Sequence, residues 1–281
     1  MKEKKKILFI TNAGSKKYLG FGHLFRCINI SLFFKSSYEI YFKTKTQISK
    51  KILKKYKFIK EYNSSIQYNY VLIDLPNLNK INFKKYSKSK IIIIDEFNNF
   101  KNINKFKIFR SSNFKKFYFL KFASILNHSH NQNNIQKKNL DYLISFGGSD
   151  YYNYSKIIYK YLSKHKNLKF KFLRQFIENK NIPKSKIINN YATIFNNYKV
   201  KCFIGSGGNT MFEMMSKKIP CLILPTNKIE KRYVIKFKNF TNINFLDINK
   251  NINAQYIAVK YKKNMSINKK KIINEYSKIF R

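Results

Sequence analysis

Residues with chemistry to offer gather near the start of the chain, in Leu19-Gly20-Phe21-Gly22-His23-Leu24-Phe25-Arg26-Cys27. Imidazole changes protonation near neutral pH, which suits His23 to take a proton from a nucleophile. Arg26 follows three residues later, so the two side chains share a helix face. It can neutralise a phosphate or anchor the helix. Further on come Gly147-Gly148-Ser149-Asp150 and Gly205-Ser206-Gly207-Gly208-Asn209-Thr210. Glycine turns at helix starts present backbone N–H groups to an anion. Asp74 ends an apolar run, a place for substrate chemistry or for capping the next helix. Glu213 precedes Lys217 by four residues, the spacing of a helical ion pair. Asp95 and Glu96 end a similar run to that before Asp74 and read as structural caps. His128 and His130 have no converging ligands in the sequence, so no metal site is expected.

Each of these residues needs an element to hold it. Lys6-Ile7-Leu8-Phe9-Ile10 is short and apolar and reads as a buried parallel strand. Leu24, Cys27, Ile28 and Leu32 have the spacing of one helix face. The chain's eight glycines all fall in clusters, Gly14/Gly20/Gly22, Gly147/Gly148 and Gly205/Gly207/Gly208, each between a strand-like and a helix-like run. Open α/β folds bind ligands at such strand-to-helix turns. Further strands are expected at 38–42, 70–74, 91–94, 118–120, 141–146, 169–173, 199–204 and 221–224. Helices are expected at 50–62, at 153–163 and over Met211–Met215, the last capped by Asn209 or Thr210. A basic helix is expected from Asn268. The polar stretch 127–134 reads as a linker. The expected fold class is α/β, with two doubly wound Rossmann-like domains, 1–130 and 139–281, facing a cleft, and the last helix packing back on the first domain.

Composition narrows the functional classes. The net charge of +45 predicts attraction to polyanions. Yet the basic residues are nearly all lysine, the arginines being Arg26, Arg110, Arg174, Arg232 and Arg281. Nucleic-acid readers lean on arginine for bidentate and stacking contacts, and Lys, Asn, Ile, Phe and Tyr rise together as AT-rich coding would make them. No specific nucleic-acid partner is expected, whereas peripheral contact with anionic lipid is compatible with the charge. No apolar run approaches the roughly 18–20 residues that span a bilayer, and no signal-peptide pattern opens the chain. Cys27, Cys202 and Cys221 are scattered, which fits a reducing, cytoplasmic setting without disulfides or zinc.

The three glycine boxes, taken in order, resemble the UDP-2,4-diacetamido-2,4,6-trideoxy-β-L-altropyranose hydrolases of pseudaminic acid biosynthesis. These are relatives of the peptidoglycan N-acetylglucosaminyltransferases and share their glycosyltransferase-B architecture. Gly20-Phe21-Gly22-His23-Leu24-Phe25-Arg26-Cys27 resembles the family's G-x-G-H-x-x-R-C box. Ile144-Ser145-Phe146-Gly147-Gly148-Ser149-Asp150 is similar to the start of its second domain. Ile204 to Glu213, with Ile219-Pro220 after it, resembles its I-G-x-G-G-x-T-x-[WF]-E segment. The resemblance implies that His23 activates a water against the anomeric carbon of a UDP-sugar, releasing UDP. It also implies that Gly20, Gly22, Arg26, Asp74, Gly147, Gly148, Ser206, Gly207, Gly208 and Asn209 line the substrate site. Glu213 would hold the ribose hydroxyls. No cofactor and no metal are implied, and a monomer is expected. Asn12 stands where the family often has aspartate, and Pro76 where some members have tyrosine, which leaves the sugar open. A glycosyltransferase of the same fold is the alternative activity, and a basic polyanion-binding protein the non-enzymatic one.

Overall fold

Lys6–Thr11 forms the first strand, β1, and its neighbours on both sides run parallel to it. A strand flanked by parallel partners is covered on both faces, which is why its sequence is apolar at successive positions. The computed structural model describes residues 3–14, 20–75, 78, 81–94, 108–110, 137–147, 150–173, 182–189, 194–238, 242–252, 254–256, 274 and 280. The chain divides into two compact units, Met1–His128 with Asn268–Arg281, and Ser129–Ile267.

In the first unit β1 leads to α1 (Gly22–Phe34), β2 (Glu39–Lys43), α2 (Gln47–Leu53), β3 (Ile59–Glu61), β4 (Tyr70–Asp74), β5 (Lys90–Ile94) and β6 (Ile108–Arg110). Among the described residues the sheet is six-stranded and parallel, in the order β3-β2-β1-β4-β5-β6. One face carries Leu8, Ile10, Tyr41, Val71, Ile73, Ile91 and Ile93, all buried. The alternating set on the other face, Ile7, Phe9 and Thr11 beside Tyr70, Leu72 and Asp74, lies against α1. Phe280 belongs to this unit. Its carbonyl accepts the hydroxyls of Tyr38 and Tyr70, and its ring packs 4.6 Å from that of Phe34.

The second unit runs β7 (Lys138–Ser145), α3 (Tyr154–Leu162), β8 (Phe170–Leu173), β9 (Ile187–Ile188), α4 (Ile194–Asn197), β10 (Tyr198–Gly205), α5 (Asn209–Ser216), β11 (Cys221–Ile223), α6 (Lys228–Phe237) and β12 (Ile243–Phe245). Its sheet is again six-stranded and parallel among the described residues, in the order β12-β11-β10-β7-β8-β9. Counted from its own first strand, each sheet has the order 3-2-1-4-5-6, the doubly wound α/β arrangement. The chain therefore leaves the middle of each sheet in opposite directions, at β1/β4 and at β7/β10. Those two points are where such a sheet opens a crevice at its carboxyl edge.

Several expectations need correction. The helix expected over 50–62 is shorter and earlier: the Thr46 side chain accepts the Ser49 N–H and starts α2 at Gln47. Ile59–Glu61 is instead an edge strand paired with β2. Lysines are compatible with both states on a solvated surface, so they do not mark where one ends. α5 is capped by Gly208, with Asn209 already its first helical residue. The strand expected at 118–120, the linker at 127–134 with His128 and His130, Pro76, Asp95 and Glu96 lie outside the described residues. So does the tail helix, apart from helical Asn274 and Phe280. The three cysteines are buried and in no disulfide. No helix among the described residues is long and apolar enough to cross a membrane, and none of their His, Cys, Asp and Glu side chains group to hold a metal.

Candidate functional site

At the β1/β4 switch point the first turns of α1 bring His23 and Arg26 down onto Asp74, the last residue of β4. His23 Nδ1 lies 2.8 Å from Asp74 Oδ1. Arg26 Nε donates to Oδ2 at 2.7 Å, and Nη2 to Oδ1 at 2.7 Å, a two-armed grip. Cys27 Sγ adds a weak contact to Oδ2 at 3.9 Å. The Asp74 carboxylate is wholly buried, whereas the His23 side chain keeps 14% exposure. His23 is thus the member of the group that meets solvent.

Electrostatics decides the protonation pattern. Burial pushes the Asp74 carboxyl up, but the Arg26 guanidinium and His23 outweigh it and hold it below the ordinary carboxylate range. An ionised carboxylate only accepts hydrogen bonds. The proton of the 2.8 Å contact therefore belongs to His23 Nδ1, and Nε2 is the basic nitrogen of the ring. Arg26 Nη2 also approaches Nδ1, at the longer distance of 3.5 Å. Burial pushes the Cys27 thiol well above its ordinary value, so it stays a neutral donor and not a nucleophile.

The loop ahead of α1 is tied from the other side. Asn12 Oδ1 accepts the Thr44 hydroxyl at 2.8 Å and the Lys45 N–H at 2.7 Å. The Ala13 N–H donates to Ser49 Oγ at 2.7 Å. Asn12 thus joins the end of β1 to the turn after β2. Gly22 begins α1 and Phe21 occupies its cap position without a side-chain cap bond. A Cβ on Gly20 would meet nothing within 4 Å, so packing does not demand glycine there.

At the β7/β10 switch point the second glycine set converges. Gly205 ends β10 so close to β7 that a Cβ would come 2.1 Å from the Ser145 carbonyl oxygen. Ser206 follows, buried, its N–H donating to that same oxygen at 3.2 Å. Gly207 lies beneath α6, where a Cβ would meet that of Glu230 at 2.8 Å. Gly208 then caps α5, and Asn209 opens it. Glu213, one turn on, is only 8% exposed. The Lys217 ammonium lies 4.3 Å from the Phe195 ring centroid. Gly147 follows β7 with φ +79°, a conformation open to glycine. Gly148 lies outside the described residues.

Two features went unread in the sequence. Glu230 accepts the N–H and hydroxyl of Thr226 at 2.7 and 2.9 Å, while Asn227 Oδ1 accepts the Glu230 N–H at 2.9 Å. Asn227 and Glu230, three apart at a helix start, carry the spacing of a capping box. Asp150 is the other. Its Oδ1 accepts from Tyr154 N at 3.0 Å and its Oδ2 from Ser155 N at 2.9 Å. The first N–H groups of α3 are therefore taken by the chain's own carboxylate.

The structure thus gathers Gly20, Gly22, His23, Arg26 and Asp74 at the carboxyl edge of the first sheet. It gathers Gly147, Ser206, Gly207, Gly208, Asn209 and Glu213 at that of the second. No protein-family model matches the chain, and no curated protein sequence matches it. Among solved structures, the glycotransferase of kitacinnamycin is similar over 99% of this chain and 95% of its own, at 7% identity and a TM-score of 0.47. The glycosyltransferase SnogD from Streptomyces nogalater is similar over 99% and 96%, at 6% identity and a TM-score of 0.49. The strand order of each unit is by itself that of a doubly wound α/β sheet.

Proposed function

We propose that the chain is an enzyme of sugar-nucleotide chemistry, with glycosyltransferase-B architecture, in which His23 takes the proton of an O–H nucleophile attacking the anomeric carbon of a UDP-sugar. The observation that carries this reading is the 2.8 Å contact between His23 Nδ1 and the ionised, buried Asp74 at a doubly wound switch point. A carboxylate holding one ring nitrogen fixes the tautomer and stabilises the imidazolium that forms when Nε2 accepts a proton. Arg26 fixes Asp74 in turn, so both are positioning residues.

The leaving UDP gathers negative charge as the glycosidic bond breaks. In this proposal the loop Gly205–Gly208 and the start of α5 hold the diphosphate, because backbone N–H groups at a helix start favour an anion. Glu213 accepts the ribose hydroxyls, a role taken from the resemblance of its segment to the hydrolase family.

An acceptor hydroxyl as nucleophile makes the enzyme a glycosyltransferase, and water makes it a hydrolase. The Gly20–Cys27 box favours water, since it is the stretch that resembles the hydrolases. Incubation with UDP-linked amino sugars separates the two. Repeated turnover in buffer alone supports hydrolysis, and UDP release only on adding a sugar or lipid-linked acceptor supports transfer. Absence of UDP release under both conditions, across a panel of such donors, counts against the proposal.

A further inference from the structure

Thr11, the last residue of β1, pairs in register with Asp74, the last of β4, so their side chains share the sheet face that α1 covers. Thr11 is fully buried, and its hydroxyl has no hydrogen-bond partner among the described residues. A buried hydroxyl without a partner is destabilising, and valine would fill the same space without that penalty. The hydroxyl therefore needs a reason other than packing.

Its neighbours supply one. Burial pushes the Cys27 thiol well up and the Asp74 charge adds to this, while the Arg26 charge and the Thr11 hydroxyl act the other way. Thr11 thus stands beside the Cys27 sulfur. Cys27 is itself fully buried and lies with Sγ 3.9 Å from Asp74 Oδ2. The two carboxylate oxygens are unequally served. Oδ1 meets His23 Nδ1 at 2.8 Å and Arg26 Nη2 at 2.7 Å, whereas Oδ2 has one close donor, Arg26 Nε at 2.7 Å. Oδ2 keeps lone-pair capacity, and a thiol and a hydroxyl, both protonated, lie on its side. Among the described residues the titratable groups facing Asp74 are His23, Arg26 and Cys27, all from α1, and β1 adds the uncharged Thr11.

We infer that Thr11 and Cys27 are positioning residues that act on His23 through Asp74, as buried donors to its Oδ2 edge while His23 holds Oδ1. The bearing of this on catalysis rests on the sugar-nucleotide reading. The Thr11 hydroxyl can turn toward the sulfur, and an O–H donated to sulfur strengthens the S–H donation beyond it. Donors on Oδ2 make the carboxylate a weaker base, which leaves the shared proton on Nδ1. They also keep Asp74 from holding His23 protonated and idle.

NMR of the imidazole N–H protons and the pH profile of UDP release from a UDP-linked amino sugar test this on the full chain. The His23 Nδ1–H resonance is assigned by its loss in His23→Ala. Thr11→Val should unfold at a higher denaturant concentration than the original chain and move that resonance downfield. It should also move the acid limb of UDP release up by roughly 0.3–0.5 pH unit. With a donor removed, Asp74 is the stronger base, binds Nδ1–H more tightly and keeps the imidazolium to higher pH. Cys27→Ala should act in the same direction, and Thr11→Ser should leave resonance and limb in place. An unmoved resonance in Thr11→Val, in a chain that still turns over the sugar nucleotide, overturns the inference and leaves the functional reading intact. Lower stability of Thr11→Val overturns it too, because the hydroxyl would then serve the fold. A downfield shift in a chain that releases no UDP upholds the coupling of Thr11 to His23 and overturns the sugar-nucleotide reading alone.

Discussion

Arg26 closes two arms of its guanidinium on Asp74, Nε to Oδ2 at 2.7 Å and Nη2 to Oδ1 at 2.7 Å, with neither side chain open to solvent. A buried pair of this kind contributes little net stability when intact but is costly to break, because the survivor is left as an uncompensated charge. Arg26→Ala is expected to cost about 3–5 kcal/mol by denaturant unfolding. Arg26→Lys should recover only part of that, since an ammonium cannot make the two-armed contact.

The same pair sets an acid limit on stability. The folded Asp74 carboxyl is held below its ordinary range, so its contribution is complete above the unfolded value of about 3.9. It is lost as the pH falls through the lower folded value. Thermal unfolding between pH 6 and pH 2 should show the original chain losing stability below about pH 4. Asp74→Asn should be less stable near neutrality and show a shallower decline over that acid range.

Glycine substitutions should separate residues required by packing from those that are not. Gly205→Ala forces a methyl to within 2.1 Å of the Ser145 oxygen, a backbone atom that cannot step aside. It is expected to destabilise by about 3 kcal/mol or more. Gly20→Ala has open space around it and should unfold with the original chain. Equal behaviour of the two variants in chemical denaturation would contradict the β7–β10 geometry.

How much of this was legible in the sequence follows from how local each signal is. His23, the strand before it and the glycine turns are patterns of a few adjacent residues, and they fell where the periodicity placed them. The contact between His23 and Asp74 spans 51 residues, so no spacing rule could pair them. Asp74 was therefore read as a substrate or capping group, whereas its oxygens go to His23 and Arg26. Asp150 is a further example: its position before α3 was visible, but that it takes two of that helix's N–H groups depends on a left-handed turn. The start of β3 was hidden by lysines, which carry no period.

Asp150→Ala should cost about 0.5–2 kcal/mol, the range for losing a side chain that caps a helix start. Amide hydrogen exchange should speed up at the first turn of α3 and remain unchanged in β10 and α5. Protection retained at Tyr154 and Ser155 would mean that the carboxylate is not their acceptor.

The account turns on His23 acting as the base, and one measurement addresses that most directly: UDP release from a UDP-linked amino sugar, by the original chain and by His23→Ala at matched folded concentration. Since Asp74 keeps its two bonds from Arg26, the variant should fold normally. Its turnover is predicted to fall by about 10²–10⁴-fold, the range for losing a positioned general base. Turnover in the variant within a few-fold of the original would contradict the proposed mechanism.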